Sequence, residues 1–132
     1  MKTTIQTKDA PCSPFFSQAT MAGGFLFVSG MTGLDPETGK LAGETIQEQT
    51  TRAMRNCESI LSVAGATLHD VVEVQVLLAR PEDFAGLNES YAAFFPTDPP
   101  ARSVAKLGVE IPGVLVSIRL VAVAPYSMQR TH

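Results

Sequence analysis

The stretch Val71-Val72-Glu73-Val74-Gln75-Val76-Leu77-Leu78-Ala79 decides the fold. It is rich in β-branched residues and alternates, which predicts a strand. Val72, Val74, Val76 and Leu78 are expected on one face, and Val71, Glu73, Gln75, Leu77 and Ala79 on the other. Pro81 follows at once and suits the first turn of a helix, with Glu82 and Asp83 at its positive end. Phe84, Leu87, Tyr91, Phe94 and Phe95 give that helix an apolar stripe, and it should stop before Pro96.

Upstream, Thr45-Ile46-Gln47-Glu48 fits a capping box. The helix it opens should span about residues 46–64, with Ala53, Cys57, Ile60, Leu61 and Ala64 at helical spacing and Gly65 as a left-handed stop. Before it, Phe25-Leu26-Phe27-Val28-Ser29 reads as a strand ended by Gly30, and Thr3 to Thr7 as a short first strand. Ala10 to Ser17 is irregular, with Pro11 and Pro14 interrupting it. Leu34 to Leu41 is a polar loop carrying Asp-Pro and Thr-Gly turn signals. Downstream, Pro99-Pro100 fixes an extended entry, and Arg102 opens a strand. Val114 to Val123 is the last strand, and the tail from Pro125 is expected to fray.

The order strands, helix, strand, helix, strand, strand predicts an α+β domain spanning 1–132, with two helices on one face of a mixed sheet. Two helices cover only one face. The opposite face would still carry Leu77, Leu115, Val121 and Val123 beside Glu73, Gln75, Ser117 and Arg119. An open sheet face in a monomer is expected to be more polar. This face is therefore expected to be buried against other copies of the chain, with a wet pocket in the interface. A half-buried face under loops is the other account of the same alternation.

Composition narrows the functional classes. The chain has 132 residues, 45% of them hydrophobic, and a formal net charge of −3. No basic run or patch offers itself to nucleic acid. Its two cysteines, Cys12 and Cys57, lie far apart and in no metal-ligand spacing, which suits free thiols in a reducing cytoplasm. The first residues lack the apolar core of a signal peptide, and no stretch is long and apolar enough to span a bilayer.

Arg102 is the leading candidate for chemistry. A guanidinium at the mouth of a strand, held by a stiff diproline approach, suits a forked grip on a carboxylate or phosphate. A solvated surface arginine is the plainer alternative. His69 and His132 are lone histidines. Glu110 and Glu73 are isolated acids, and Glu73 could pair with Arg119.

Taken together, Phe25-Leu26-Phe27-Val28-Ser29-Gly30, Leu34-Asp35-Pro36-Glu37-Thr38-Gly39, Ala64-Gly65-Ala66, Asp83-Phe84, Asn88-Glu89 and Pro100-Ala101-Arg102-Ser103 resemble the Rid/YjgF family. Its members have often carried the labels endoribonuclease L-PSP and translation inhibitor. The resemblance runs from about Pro11 to Val123. It implies a chorismate-mutase-like subunit, three of which form a homotrimer with their sheets in a barrel and clefts between neighbours. It also implies hydrolysis of 2-imino or enamine acids to 2-oxo acids and ammonia, without metal or organic cofactor.

By the same resemblance, Arg102 matches the carboxylate-binding arginine, Ser29 and Gly30 line the cleft, and Asn88 matches an asparagine of the second helix. Three positions depart from the family. Phe16 stands where a tyrosine hydroxyl is usual, Val104 where a cysteine is, and Ser117 where imine-hydrolysing members carry a glutamate. Arg102 and Ser117 are thus the expected catalytic positions, and Phe16, Ser29, Gly30, Asn88, Arg102 and Val104 the expected substrate-binding ones. Losing a positioned acid–base group typically removes about 10²–10⁴-fold in rate. The expectation is an imine deaminase of reduced or redirected activity, or else a non-catalytic metabolite-binding or chaperone-like member. Ribonuclease activity is disfavoured by the acidic balance and by the lack of a histidine pair.

Overall fold

The computed structural model describes residues 1–125; the expected fraying beyond Pro125 and His132 lie outside the described residues. Its strands are β1 (Thr3–Ile5), β2 (Ala19–Ala22), β3 (Phe25–Met31), β4 (Val71–Leu78), β5 (Ala101–Lys106) and β6 (Val116–Val123). Helix α1 (Ile46–Val63) lies between β3 and β4, and α2 (Phe84–Ala92) between β4 and β5. The six strands form one mixed sheet in the order β1-β2-β3-β6-β4-β5. Only β4 and β5 are parallel, and α2 is their crossover, as a parallel connection requires.

Helix α1 begins where the capping box predicts. The Thr45 hydroxyl accepts from the Glu48 N–H, and the Glu48 carboxylate reaches back to the Thr45 N–H. It ends at Gly65, whose φ of +78° lets the Ala66 N–H turn back to the Leu61 carbonyl. The buried side of α1, including Ala53, Met54, Cys57, Ile60 and Leu61, shares one core with Leu26, Val28 and Met31 of β3. Val74, Val76 and Leu78 of β4 and Val116, Ile118, Leu120 and Ala122 of β6 complete it. Helix α2 adds Leu87 and Tyr91 and packs on α1, where Gly86 leaves room that a Cβ would take from Ile46 Cγ2 at 2.5 Å.

Several expectations need correction. Val71, not Val72, faces the core, because β4 carries a bulge against β6: Val71 pairs with Ala122 and Glu73 with Val121, leaving Val72 extra and exposed. Strand β3 does not end at Gly30 but runs to Met31, with Ser29 and Gly30 together opposite Arg119. Strand β6 starts at Val116 rather than Val114, and β1 stops at Ile5. Strand β2 was not expected at all. Helix α2 is preceded by a 3-10 turn over Pro81–Asp83, and Phe84 is exposed rather than in the stripe's buried part. Glu73 and Arg119 do not pair; Arg119 stands opposite Gln75, and the ion pairs among the described residues are Arg55–Glu58 and Arg80–Asp83.

Three fully buried carboxamides tie the irregular segments to this frame. Gln18 accepts from the Thr7 N–H at 2.7 Å and donates to the carbonyls of Thr7, Ala10 and Pro11. Gln49 donates to the Gly43 and Gly113 carbonyls and accepts from the Leu115 N–H. Asn56 donates to the Thr32 and Leu34 carbonyls and accepts from Arg52. Each replaces a strand ladder with side-chain bonds, which satisfies loop backbone near the core.

Replacing Gln18 with alanine strands several part-buried backbone groups and is expected to cost about 2–3 kcal/mol, read as a lower urea midpoint at unchanged slope. The thiols should also differ. Cys57 is buried, and its pKa is pushed up to about 12, chiefly by desolvation and secondarily by Glu58, whereas Cys12 is exposed. A disulfide-exchange reagent at pH 8 is expected to titrate Cys12 in the native protein and Cys57 only after denaturation.

Candidate functional site

Arg102 lies on β5, directly beside Val74 of β4. Val74 is fully buried beneath the helices, so Arg102 also faces the helix side. There α2 meets it with Phe84, Asn88 and Tyr91, which recur at i, i+4 and i+7 on one helical face. The guanidinium donates from Nη1 to Asn88 Oδ1 at 2.8 Å. Its carbon sits 4.8 Å from the centre of the Tyr91 ring and 5.9 Å from that of Phe84. Both rings offer their negative faces to the cation.

The half-buried guanidinium has no acidic partner among the described residues. One of its N–H groups is committed to Asn88, while the guanidinium carries about five in all. The site is therefore a held cation with donors to spare, and its natural complement is an anion with a flat, two-oxygen head. Burial pushes the Tyr91 phenol up, with the Arg102 charge opposing. The Tyr91 hydroxyl is buried without a hydrogen-bond partner among the described residues.

Ser29, Gly30 and Ser117 form a second group, on the face away from the helices. Ser117 lies between the buried Val116 and Ile118 and pairs with Leu77, so it points to the open side. A Cβ on Gly30 would come within 2.8 Å of Ser117 Oγ, so only glycine leaves that hydroxyl its present place. Ser29 Oγ donates to the Ser17 carbonyl at 2.6 Å, and the Ser29 N–H to the Gln18 carbonyl. Phe16, next to Ser17, is exposed. A cavity of about 390 Å3 opens beside Ser29, with Ser17, Thr20, Phe27, Arg119 and Lys2 on its walls.

Within one chain these two groups do not meet. Strand β4 separates β5 from β6, which puts them about 10 Å apart across the sheet. They also lie on opposite faces. Val104 belongs with Arg102, on the same side of β5 and beside Val76. Glu110 stands apart, exposed in the loop between β5 and β6, and His69 is exposed on a 3-10 turn. The sequence reading treated Phe84 and Tyr91 as core stripe and missed their service to Arg102. The signal that could have found them is their helical spacing around Asn88.

The open face is not a polar one. Phe25, Phe27 and Val123 are each at least 40% exposed there. Half-buried Val121 lies beside Phe27 and half-buried Leu77 farther along the same face, with Glu73 and Arg119, neither in an ion pair among the described residues.

Comparison with known proteins gives the same picture throughout. Over 124 residues the chain is 40% identical to a RutC family protein of Pyrococcus horikoshii, covering 92% of this chain and 98% of that one. It is 33% identical over 125 residues to the human 2-iminobutanoate/2-iminopropanoate deaminase, covering 93% and 90% of the two. The solved structure of E. coli TdcF with bound serine superposes with a TM-score of 0.85 at 28% identity, over 93% of this chain and 99% of that one. A family model described as endoribonuclease L-PSP matches residues 7–124. The chain therefore belongs to the endoribonuclease L-PSP family, also called Rid/YjgF.

Proposed function

We propose that this protein binds small 2-imino and 2-oxo carboxylates through Arg102 and hydrolyses the C=N bond of the imines slowly. The observation that carries this is the Arg102 guanidinium, half-buried, oriented by Asn88 and two rings, and without an acid of its own. A carboxylate is the group it lacks. The human relative named for 2-iminobutanoate and 2-iminopropanoate, and the serine bound to TdcF, supply precedents with small carboxylates.

The reaction adds water to C2 of the imine, moves a proton to nitrogen, and expels ammonia from the tetrahedral adduct to leave the 2-oxo acid. Arg102 holds the carboxylate, Asn88 steadies Arg102, and Val104 borders the site. Ser29 and Gly30 would form the opposite wall with Phe16 and Ser117. Because these groups occupy opposite faces of one sheet, the proposed cleft needs the Arg102 side of one copy against the Ser117 side of another. A homotrimer, as the family resemblance implies, would also cover Phe25, Phe27 and Val123. Neither metal nor organic cofactor enters this scheme, nor does nucleic acid. Two free thiols suit a cytoplasmic setting.

Ser117 sets the rate. Its hydroxyl can hold a water but does not carry a proton at neutral pH, so turnover is expected about 10²–10⁴-fold below that of a glutamate-bearing member. The same feature favours a second reading, a metabolite-binding member without turnover.

With 2-iminopropanoate generated in situ, the native protein should show this deficit, and Ser117→Glu should recover at least about tenfold. Native rates equal to those of glutamate-bearing relatives would refute the role given to Ser117. Light scattering should report a trimer, whereas a monomer would remove the cleft. Arg102→Ala should abolish 2-oxobutanoate binding while leaving the melting temperature within a few degrees.

A further inference from the structure

A cavity of about 450 Å3 lies beside Arg102, walled by Leu78, Pro81, Phe84, Val104, Ala105 and Lys106. Arg102 is not itself one of the walls, but it adjoins the cavity in two ways. Phe84 is both a wall of the cavity and one of the rings against the guanidinium. Arg102, Val104 and Lys106 also follow one another on the same side of β5, beside Val74, Val76 and Leu78. Five of the six wall residues are apolar. Phe84 is 47% exposed, a large apolar surface next to a fixed charge. Lys106 is exposed, so its ammonium stays in water while its stem covers the rim.

We infer that this cavity takes the hydrocarbon side chain of the acid held by Arg102, so that the preferred ligands are 2-imino and 2-oxo acids with branched or aromatic side chains. The assignment rests on the carboxylate grip proposed above. Two strand residues span about 7 Å, which is the distance from Arg102 to Val104 along β5. In a three-carbon acid the methyl ends about 2.5 Å from the carboxylate carbon, given bonds of about 1.5 Å. It would leave the cavity empty. An isobutyl or benzyl group reaches roughly twice as far and would lie against Val104 and Phe84. Each methylene so buried contributes about fourfold in affinity, and three of them in a partly open cavity about tenfold or more.

Calorimetric titration with pyruvate, 4-methyl-2-oxopentanoate and 2-oxoglutarate tests this. The native protein should bind 4-methyl-2-oxopentanoate at least about tenfold tighter than pyruvate. Val104→Phe, which fills the cavity, and Val104→Asn, which makes its wall polar, should each erase that preference, read as the ratio of the two affinities within the same variant. Arg102→Ala should abolish binding of both monocarboxylates. Equal affinity for the two, still dependent on Arg102, would overturn the cavity assignment and leave the carboxylate grip standing. Tightest binding of 2-oxoglutarate would overturn it in favour of a second carboxylate at Lys106. Failure of all three acids to bind would refute the grip and the cavity assignment with it.

Discussion

Strand β4 is shared by two ladders, antiparallel to β6 on one side and parallel to β5 on the other. Side chains of a strand alternate between faces, and partners across a ladder point the same way. The facing of Val74, Val76 and Leu78 therefore settles the facing of Arg102 and Val104 on β5 and of Leu120, Ile118 and Val116 on β6. It equally commits Ser117 and Arg119 to the other side, with Gln75 and Leu77. Shifting β4 by one residue would invert all of these assignments together.

That division keeps the Arg102 cation and the Ser117 hydroxyl apart within a single chain. One side offers a rigid guanidinium between rings and an amide. The other offers hydroxyls and a glycine at a bulge. The open side is also electropositive near Ser29, where Arg119 and Lys2 line the same cavity without acidic partners among the described residues. A carboxylate placed at Ser117 would lie two residues from Arg119 on the same face. The nearby positive charge would favour its ionised form, suiting it to take a proton from water rather than to give one.

Local chemistry made much of the frame legible in the sequence. Thr45 and Glu48 announce the start of α1 and Gly65 its end, because caps depend on residues three or four apart. The alternation in β4 and β6 separates the two faces, and the mixed character of the outer one is readable from Leu77, Val121, Glu73 and Arg119. What was not legible depends on distant partners. The bulges at Val72 and at Ser29–Gly30 exist only relative to β6. Strand β2 is four residues with two alanines, too short and too plain to signal itself. Nothing local in the sequence says that loop carbonyls will converge on Gln18, Gln49 and Asn56. At the site, Arg102 stands out from its diproline approach to a strand, whereas Asn88 and Ser117 were singled out through family resemblance. The ring contacts that orient Arg102 needed the structure, because they depend on where α2 lands over β5.

The amides of α1 have a dynamic consequence. Gln49 fastens Gly43 and the Gly113–Leu115 segment, and Asn56 fastens Thr32 and Leu34, all to one rigid helix. Loops are ordinarily the first parts of a chain to open. Here the segments entering and leaving the core can peel away only by breaking buried amide bonds to α1. Their backbone would then exchange hydrogen with solvent, or admit a protease, on the schedule of the helix itself, so the irregular parts of this fold share the fate of its most ordered one.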